Sequence, residues 1–303
     1  MEKVLAQVFR YDPSRDDKPR YETYEVPYEK NMRVLDVLRS IQENHDHSLA
    51  FRYSCRRRRC GTCSVFVNGK PVLACFEAAK REMVIEPLPH LPIIRDLVVD
   101  TGAYEKRTHG IHPYLERKSF PGEPEKVSPR HFEGLKTLQI CIECYSCMSV
   151  CPVSDLQWGK FAGPAVFVQL AKRALDPRDG LERTSLLLEN DLQDCVSCYS
   201  CVESCPFKIN VLEEAIERLR HQCASRNAGT WAKFNDRFIK QIKNNGLITP
   251  FFLMAKTVRP SDWLSNLSIL AQFILKQKIG FRKKKIPRRE EIKQIFDATG
   301  DQK

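Results

Sequence analysis

The chain has 303 residues, with 49 Lys plus Arg against 38 Asp plus Glu and a net charge of +11. That length is enough for two domains, each able to bury a core without staples, so size does not account for its 13 cysteines. The positive charge favours acidic partners, nucleic acid or an anionic membrane surface without choosing among them. The N-terminus, Met1-Glu-Lys-Val-Leu-Ala-Gln7, lacks the pattern of a secretory signal, and no run of roughly 18 apolar residues crosses a bilayer. The expected setting is a reducing cytoplasm, with the chain soluble or peripheral on a membrane.

In chain order, Val4, Ala6 and Val8 alternate with Leu5, Gln7 and Phe9 as in a strand, and Tyr21 to Val26 make its partner across the polar turn Asp12 to Arg20. From Arg33 the period changes, and Val34, Val37, Leu38 and Ile41 fit one helical face ending near Asn44. Ser64 to Leu73 reads as a hairpin with an Asn68-Gly69 turn, and Met83 to Pro87 as a short closing strand. Residues 1–104 therefore read as a small α+β domain. Pro113, Pro121, Pro124 and Pro129 amid charges make 105–135 a linker lying on its neighbours.

Residues 136–228 are helical in pattern. Ala165 to Ala174 and Val211 to Leu219 carry apolar residues at helical spacing, and Gly163-Pro164 is a natural helix start. The cysteine-free stretch 229–303 reads as a helical basic tail. There Trp263, Leu267, Leu270 and Ile274 share one face opposite Ser265, Ser268 and Gln272, and eight basic residues lie between Lys276 and Arg289. Such a helix can lie on an anionic membrane, dock on a partner subunit or be an ordinary surface helix.

Twelve of the 13 cysteines fall in three tight groups, which in a chain of this size points to metal rather than disulfides. Cys141, Cys144, Cys147 and Cys151-Pro152 repeat the spacing of Cys195, Cys198, Cys201 and Cys205-Pro206, and both read C-x2-C-x2-C-x3-C-P. In that bacterial-ferredoxin signature three close thiolates hold one cubane and the fourth ligates the other. Crossing gives one [4Fe–4S] set of Cys141, Cys144, Cys147 and Cys205, and a second of Cys195, Cys198, Cys201 and Cys151. Cys55, Cys60 and Cys63, with Cys75 further on, give the plant-type [2Fe–2S] spacing. Zinc is the bland alternative for each group, since four thiolates suit it. Arg56, Arg57, Arg58 and Arg59 lie inside the loop, where positive charge raises a cluster's potential. They read either as a solvated face or as a docking surface. No catalytic triad, phosphate loop or dinucleotide fingerprint accompanies the clusters. His45, His47, His109, His112 and His131 are scattered, and Cys223 reads as structural. A zinc-stabilised nucleic-acid-binding protein is the remote alternative, although no aromatic residues interleave with basic ones as a stacking groove needs.

The order of these groups resembles the iron–sulfur subunit of succinate dehydrogenase and fumarate reductase. The resemblance covers residues 1 to about 228 and rests on Ser48-Leu-Ala-Phe-Arg-Tyr-Ser-Cys55, Cys60-Gly-Thr-Cys63, Asn68-Gly69, Leu73-Ala-Cys75, Asp96-Leu-Val-Val-Asp100, Pro113-Tyr-Leu115, Gly163-Pro-Ala165 and Asp176-Pro-Arg-Asp179. It implies an N-terminal β-grasp ferredoxin domain, an all-α two-cluster domain, and an FAD-containing partner that interconverts succinate and fumarate. Three departures stand out. Cys198 fills a place the common members leave without cysteine, where a [3Fe–4S] cluster forms, so two [4Fe–4S] clusters are expected. Leu156 replaces the tryptophan of quinone-reactive members, and Arg58 replaces a loop glycine. These changes resemble the less common class, which works with a cysteine-rich partner similar to the B subunit of heterodisulfide reductase instead of the usual membrane anchor. Trp231 to Lys256 loosely resembles that enzyme's C subunit. The same wire on another flavoprotein dehydrogenase, or in a thiol:fumarate reductase, is the alternative.

Overall fold

Alternation at the N-terminus becomes β1 (Lys3–Arg10), in which Val4, Ala6 and Val8 are fully buried while Lys3, Leu5 and Gln7 face out. In the computed structural model, residues 2–117, 128–154, 161–255 and 286–300 are described. β2 (Arg20–Pro27) pairs antiparallel with β1 from Lys3 opposite Pro27 to Arg10 opposite Arg20. β3 (Ser64–Val67) and β4 (Lys70–Leu73) close on Asn68 (φ 48°) and Gly69 (φ 79°). Two successive left-handed residues are what a tight hairpin turn demands, and Asn-Gly supplies them at least cost.

β5 (Glu82–Glu86) reads as a closing strand in sequence, yet it lies inside the sheet, parallel to β1 and antiparallel to β3. The strand order is β2-β1-β5-β3-β4. α1 (Val34–Asn44) covers one face of this mixed sheet, burying Val34, Leu35, Val37, Leu38 and Ile41 against Val4, Ala6, Val8 and Ile85. Full burial of side chains such as Leu38 and Ile41 contributes about 1.5–3 kcal/mol each.

The far end of β1 is tied down by charge. Arg10, 3% exposed, donates from Nε to Asp96 at 3.1 Å, from Nη2 to Ser48 at 2.9 Å, and from Nη1 to Asp46, Glu22 and Tyr24. Asp96 also accepts from the amides of Tyr11 and Ala50. The stretch that enters the first cysteine loop is therefore held to the sheet and to the small ribbon of β6 (Ile93–Arg95) and β7 (Val98–Val99).

Helices follow. α2 (Gly102–Gly110) spans the expected limit at 104, and α3 (Pro129–Gln139), begun by a proline at its first position, spans that at 135. Of α2 only Tyr104 is buried, and its hydroxyl donates to the Ser154 carbonyl at 3.0 Å. After α4 (Ser146–Ser149) comes α5 (Pro164–Ala174), buried without interruption from Pro164 to Lys172, which marks it as the central helix. Next are α6 (Thr184–Glu189), a short 3-10 turn at Leu192–Asp194, α7 (Ser200–Glu203), a π-helical segment at Val211–Glu217, and α8 (Arg218–Ser225). Fully buried Arg183 holds the connecting segment in place, donating to the carbonyls of Ile111, His112 and Tyr114 and pairing with Asp179.

The chain divides into two compact units, Met1–Leu219 and Arg220–Lys303. The second contains α9 (Gly229–Asn245), α10 (Pro250–Ala255) and α11 (Arg289–Gly300), with a Lys243–Asp297 ion pair joining α9 to α11. Pro121, Pro124, Leu156, the Trp263 to Ile274 face and the basic residues Lys276 to Lys285 lie outside the described residues. Among the described residues no helix is long and apolar enough to cross a membrane.

Candidate iron–sulfur centres

The loop Cys55 to Cys63 is built by backbone conformation. Arg56 (φ 54°), Arg58 (φ 58°) and Gly61 (φ 72°) are left-handed and alternate with ordinary residues, a pattern that turns successive N–H groups to one side as an anion-binding nest. The amides of Arg57, Arg59 and Cys60 donate to the Cys55 sulfur at 3.5, 3.2 and 3.3 Å. Burial acts to raise the Cys60 thiol, but hydrogen bonds with Thr62 and towards Cys55 outweigh it and bring it down to about 6. The Cys63 thiol is pushed up to about 12 by burial, with neighbouring Cys75 adding to the shift. All four thiols thus meet at one place, three from the loop and Cys75 from just beyond β4.

The two later runs repeat each other in conformation as well as in spacing. Glu143 (φ 53°) and Tyr145 (φ 60°) are left-handed in the first, Ser197 (φ 54°) and Tyr199 (φ 63°) in the second. Each second cysteine sits 3.4 Å from the hydroxyl two residues on, Cys144 from Ser146 and Cys198 from Ser200. Cys141, Cys144 and Cys147 line a small cavity with Cys205, among Ile142, Ala165, Val168, Phe207, Ile209 and Val211. A second cavity is lined by Cys195, Cys198, Cys201 and Cys151, among Val153, Phe161, Val196, Leu212 and Ile216. Each run thus sends its fourth cysteine to the other's cavity, and the π-helical segment contributes walls to both.

The thiol environments agree with this grouping. Burial pushes Cys201 up to about 12, with Cys195, Cys151 and Cys198 adding their charge. Cys147 is held well above its usual value by burial, then by Cys144 and Cys141. Cys205 is raised by burial although its sulfur accepts from the Ile209 amide at 3.4 Å. Metal binding removes the thiol protons, so such dry surroundings suit a group that itself carries positive iron.

Among the described residues no three Cys, His, Asp or Glu side chains converge closely enough to hold a single metal ion. Four thiols lining one cavity are the donor set that a polynuclear iron–sulfur cluster takes. The apolar walls and inward amides fit that group too.

Four residues beyond the cysteines matter to the site. Gly61 lies where the first loop meets the first run, and a Cβ there would stand 2.8 Å from the Ile142 carbonyl oxygen and 3.0 Å from the Cys144 Cα. Gln169 Nε2 reaches the Cys141 sulfur at 3.9 Å, and Lys172 Nζ donates to the Cys141 carbonyl at 3.5 Å. Both polar residues come from the buried face of α5, and Lys172 is lowered by burial, with Cys141 opposing. Their i, i+3 spacing within an apolar stretch was the available signal. Arg58 is half-buried, and its guanidinium stacks over the rings of Phe76 and Phe207. Arg56, Arg57 and Arg59 are exposed. His45, His47, His109 and His112 line neither of the two cavities, and Cys223, in the second unit, is buried.

Comparison with known proteins gives the family. Residues 5–106 match the 2Fe-2S iron-sulfur cluster binding domain, and residues 137–209 the 4Fe-4S dicluster domain. The chain is 39% identical over 226 residues to one subunit of the fumarate reductase (CoM/CoB) of Methanothermobacter marburgensis, covering 75% of this chain and 45% of that one. It therefore spans less than half the length of that relative. Identity to the fumarate reductase iron-sulfur subunit of Haemophilus influenzae is 36% over 220 residues, covering 66% of this chain and 86% of that one. Among solved structures, a chain of the Mycobacterium smegmatis Sdh1 complex in the apo form superposes with a TM-score of 0.69 at 26% identity, covering 74% of this chain and 96% of that one. The chain belongs to the family of iron–sulfur subunits of fumarate reductase and succinate dehydrogenase.

Proposed function

We propose that this chain is the electron-transfer subunit of a succinate/fumarate oxidoreductase, relaying electrons between an FAD-containing partner and a quinone- or thiol-linked terminal subunit. The observation that carries the reading is the crossed sharing of Cys151 and Cys205 between two apolar cavities, with the Cys55 loop packed through Gly61 against the first. When bound, the clusters supply one-electron carriers. The chain's own residues supply the rest. Cys55, Cys60, Cys63 and Cys75 hold a [2Fe–2S] cluster. Cys141, Cys144, Cys147 and Cys205 hold the first [4Fe–4S], and Cys151, Cys195, Cys198 and Cys201 the second. Inward amides stabilise thiolate charge, and the apolar walls exclude water. The mixed sheet with one covering helix serves as a β-grasp domain over 1–104, joined by 105–135 to the two-cluster domain over 136–228.

Residues 229–303 serve as a contact for a partner or a membrane surface, which would put the assembled complex at the cytoplasmic face. A relative named for CoM/CoB favours a cysteine-rich, heterodisulfide-reductase-like partner over a membrane anchor. Cys198 supports a [4Fe–4S] rather than a [3Fe–4S] centre at the exit, because a thiol stands ready there for a fourth iron. Anaerobically purified chain should be brown and hold about ten irons. Cys198→Ser should produce a [3Fe–4S] signal in electron paramagnetic resonance of the oxidised protein. A colourless, zinc-loaded chain refutes the relay, whereas a stoichiometric [3Fe–4S] signal in the unaltered chain refutes only the role of Cys198. Capture of a flavoprotein and a cysteine-rich chain on the tagged protein would test the partners.

A further inference from the structure

Arg58 sits between two of the proposed centres in an arrangement that leaves its charge unneutralised. Its guanidinium lies 4.3 Å from the ring centroid of Phe76 and 4.6 Å from that of Phe207. Phe76 directly follows Cys75, and Phe207 comes two residues after Cys205. The sandwich therefore links the neighbour of Cys75, the last thiol of the first set, to the segment just after Cys205, the last thiol of the first cavity. Nε of Arg58 is buried and makes no hydrogen bond, and among the described residues no carboxylate pairs with the guanidinium. Glu77 and Glu203 line the same groove of about 550 Å3 without forming that pair.

Such an arrangement is unusual on two counts. A buried guanidinium nitrogen normally finds a carboxylate or carbonyl, since a buried donor is costly to leave bare, and on half-buried Arg58 it is Nε that lacks one. Arg58 is instead held by aromatic faces, which attract a cation without cancelling its charge. Its backbone is also left-handed (φ 58°), a conformation that glycine adopts more readily than an arginine. A side chain kept at that cost, with its charge intact, beside thiols of two different sets, has an electrostatic use.

We propose that Arg58 is a potential-setting residue: its unpaired guanidinium, clamped between Phe76 and Phe207, stabilises the added electron on the Cys55/Cys60/Cys63/Cys75 centre and on the Cys141/Cys144/Cys147/Cys205 centre together. This inference rests on the relay reading above. Each reduction adds one electron, delivered in the complex by reduced flavin and in the test by dithionite, and thus one negative charge that a nearby fixed cation favours. Arg58 itself lines neither cavity, but Phe207, on which its guanidinium stacks, lines the first and not the one around Cys198.

The test is an anaerobic redox titration of the full chain, followed by electron paramagnetic resonance, for the parent, Arg58→Lys and Arg58→Met. Arg58→Met keeps an unbranched side chain but removes the charge. It should shift the one-electron equilibria of the [2Fe–2S] and first [4Fe–4S] centres several-fold towards the oxidised form, up to about tenfold or ~59 mV. The second [4Fe–4S] centre should stay within error, and Arg58→Lys should remain close to the parent. Unmoved potentials in Arg58→Met, or equal shifts at all three centres, overturn the proposal. If Arg58→Met fails to keep its [2Fe–2S] cluster while Arg58→Lys keeps it, the charge is again what matters. Loss from both variants would make Arg58 merely structural and overturn the proposal. A parent chain that binds no iron sinks the relay reading itself, so the two failures are distinguishable.

Discussion

Gly61→Ala is the sharpest perturbation of the proposed path between the first loop and the first cavity. Two costs add at this position. The backbone is left-handed at φ 72°, which disfavours any residue with a Cβ by roughly 1–2 kcal/mol. The new carbon would also stand 2.8 Å from the Ile142 carbonyl oxygen, 3.0 Å from the Cys144 Cα and 3.1 Å from the Cys144 Cβ. Two of those neighbours are backbone and cannot rotate away, so the loop must lift from the run. Overpacking of this kind costs about 1–3 kcal/mol. Gly69→Ala is the matched control, since Gly69 is left-handed at φ 79° and an added methyl there would meet nothing within 4 Å. It bears the conformational cost alone. In urea, the rate at which anaerobic protein loses its visible absorbance should be about 5- to 150-fold faster for Gly61→Ala than for Gly69→Ala, if the clash is released as the loop lifts. Magnetic coupling between the [2Fe–2S] and first [4Fe–4S] centres should weaken only in Gly61→Ala. Equal rates and equal coupling in the two variants would refute the claim that close backbone approach at Gly61 joins the loop to the run.

Other perturbations follow from buried charge. Arg183→Met strips the donors from the carbonyls of Ile111, His112 and Tyr114 and leaves Asp179 buried without its partner. A loss of about 3–5 kcal/mol is expected, seen as rapid proteolysis near residues 111–117 while the N-terminal sheet survives. Asp46 tests the pH dependence. Burial would raise its carboxyl, but hydrogen bonds from Ser48 and Arg10 hold it well below the usual range. A depressed carboxyl adds stability that is fully present above its unfolded value of about 3.9 and is lost as pH falls through the folded value. The excess cluster-loss rate of Asp46→Asn over the parent should therefore be largest near neutrality and shrink below pH about 4. Lys172→Met removes a buried cation beside Cys141. In a redox titration it should move the first [4Fe–4S] centre towards the oxidised form and leave the second in place.

How much of this was legible in the amino acids depends on the range of the interaction responsible. The left-handed backbone at Arg56, Arg58, Glu143 and Tyr145 is not legible, since none of these is a glycine, whereas thiol spacing is local, so the three cysteine groups are legible in short stretches of chain. Likewise β1, α1 and the Asn68-Gly69 hairpin are written in periodicity and turn chemistry. Position within the sheet is not local. β5 pairs with β1 across more than 70 residues, and a short apolar run gives no hint whether it will be central or at an edge. α2 has one buried residue, Tyr104, and one residue cannot make a period. Gln169 and Lys172 are not legible as site residues, because only the surrounding fold reveals that Pro164 to Lys172 has no exposed face. The repeated runs make the same point from within one chain. Ile142 and Val196 are equivalent by spacing, as are Tyr145 and Tyr199, and the backbone signs agree at each matching pair. Yet Ile142 packs on the N-terminal core and Tyr145 stacks on Tyr104, while Val196 is 64% exposed and Tyr199 is 45% exposed. A repeated spacing dictates the local turn that presents the thiols. What covers that turn is decided by elements far away in sequence, which is why the first run is enclosed by the sheet domain and the second presents a bare edge within this unit.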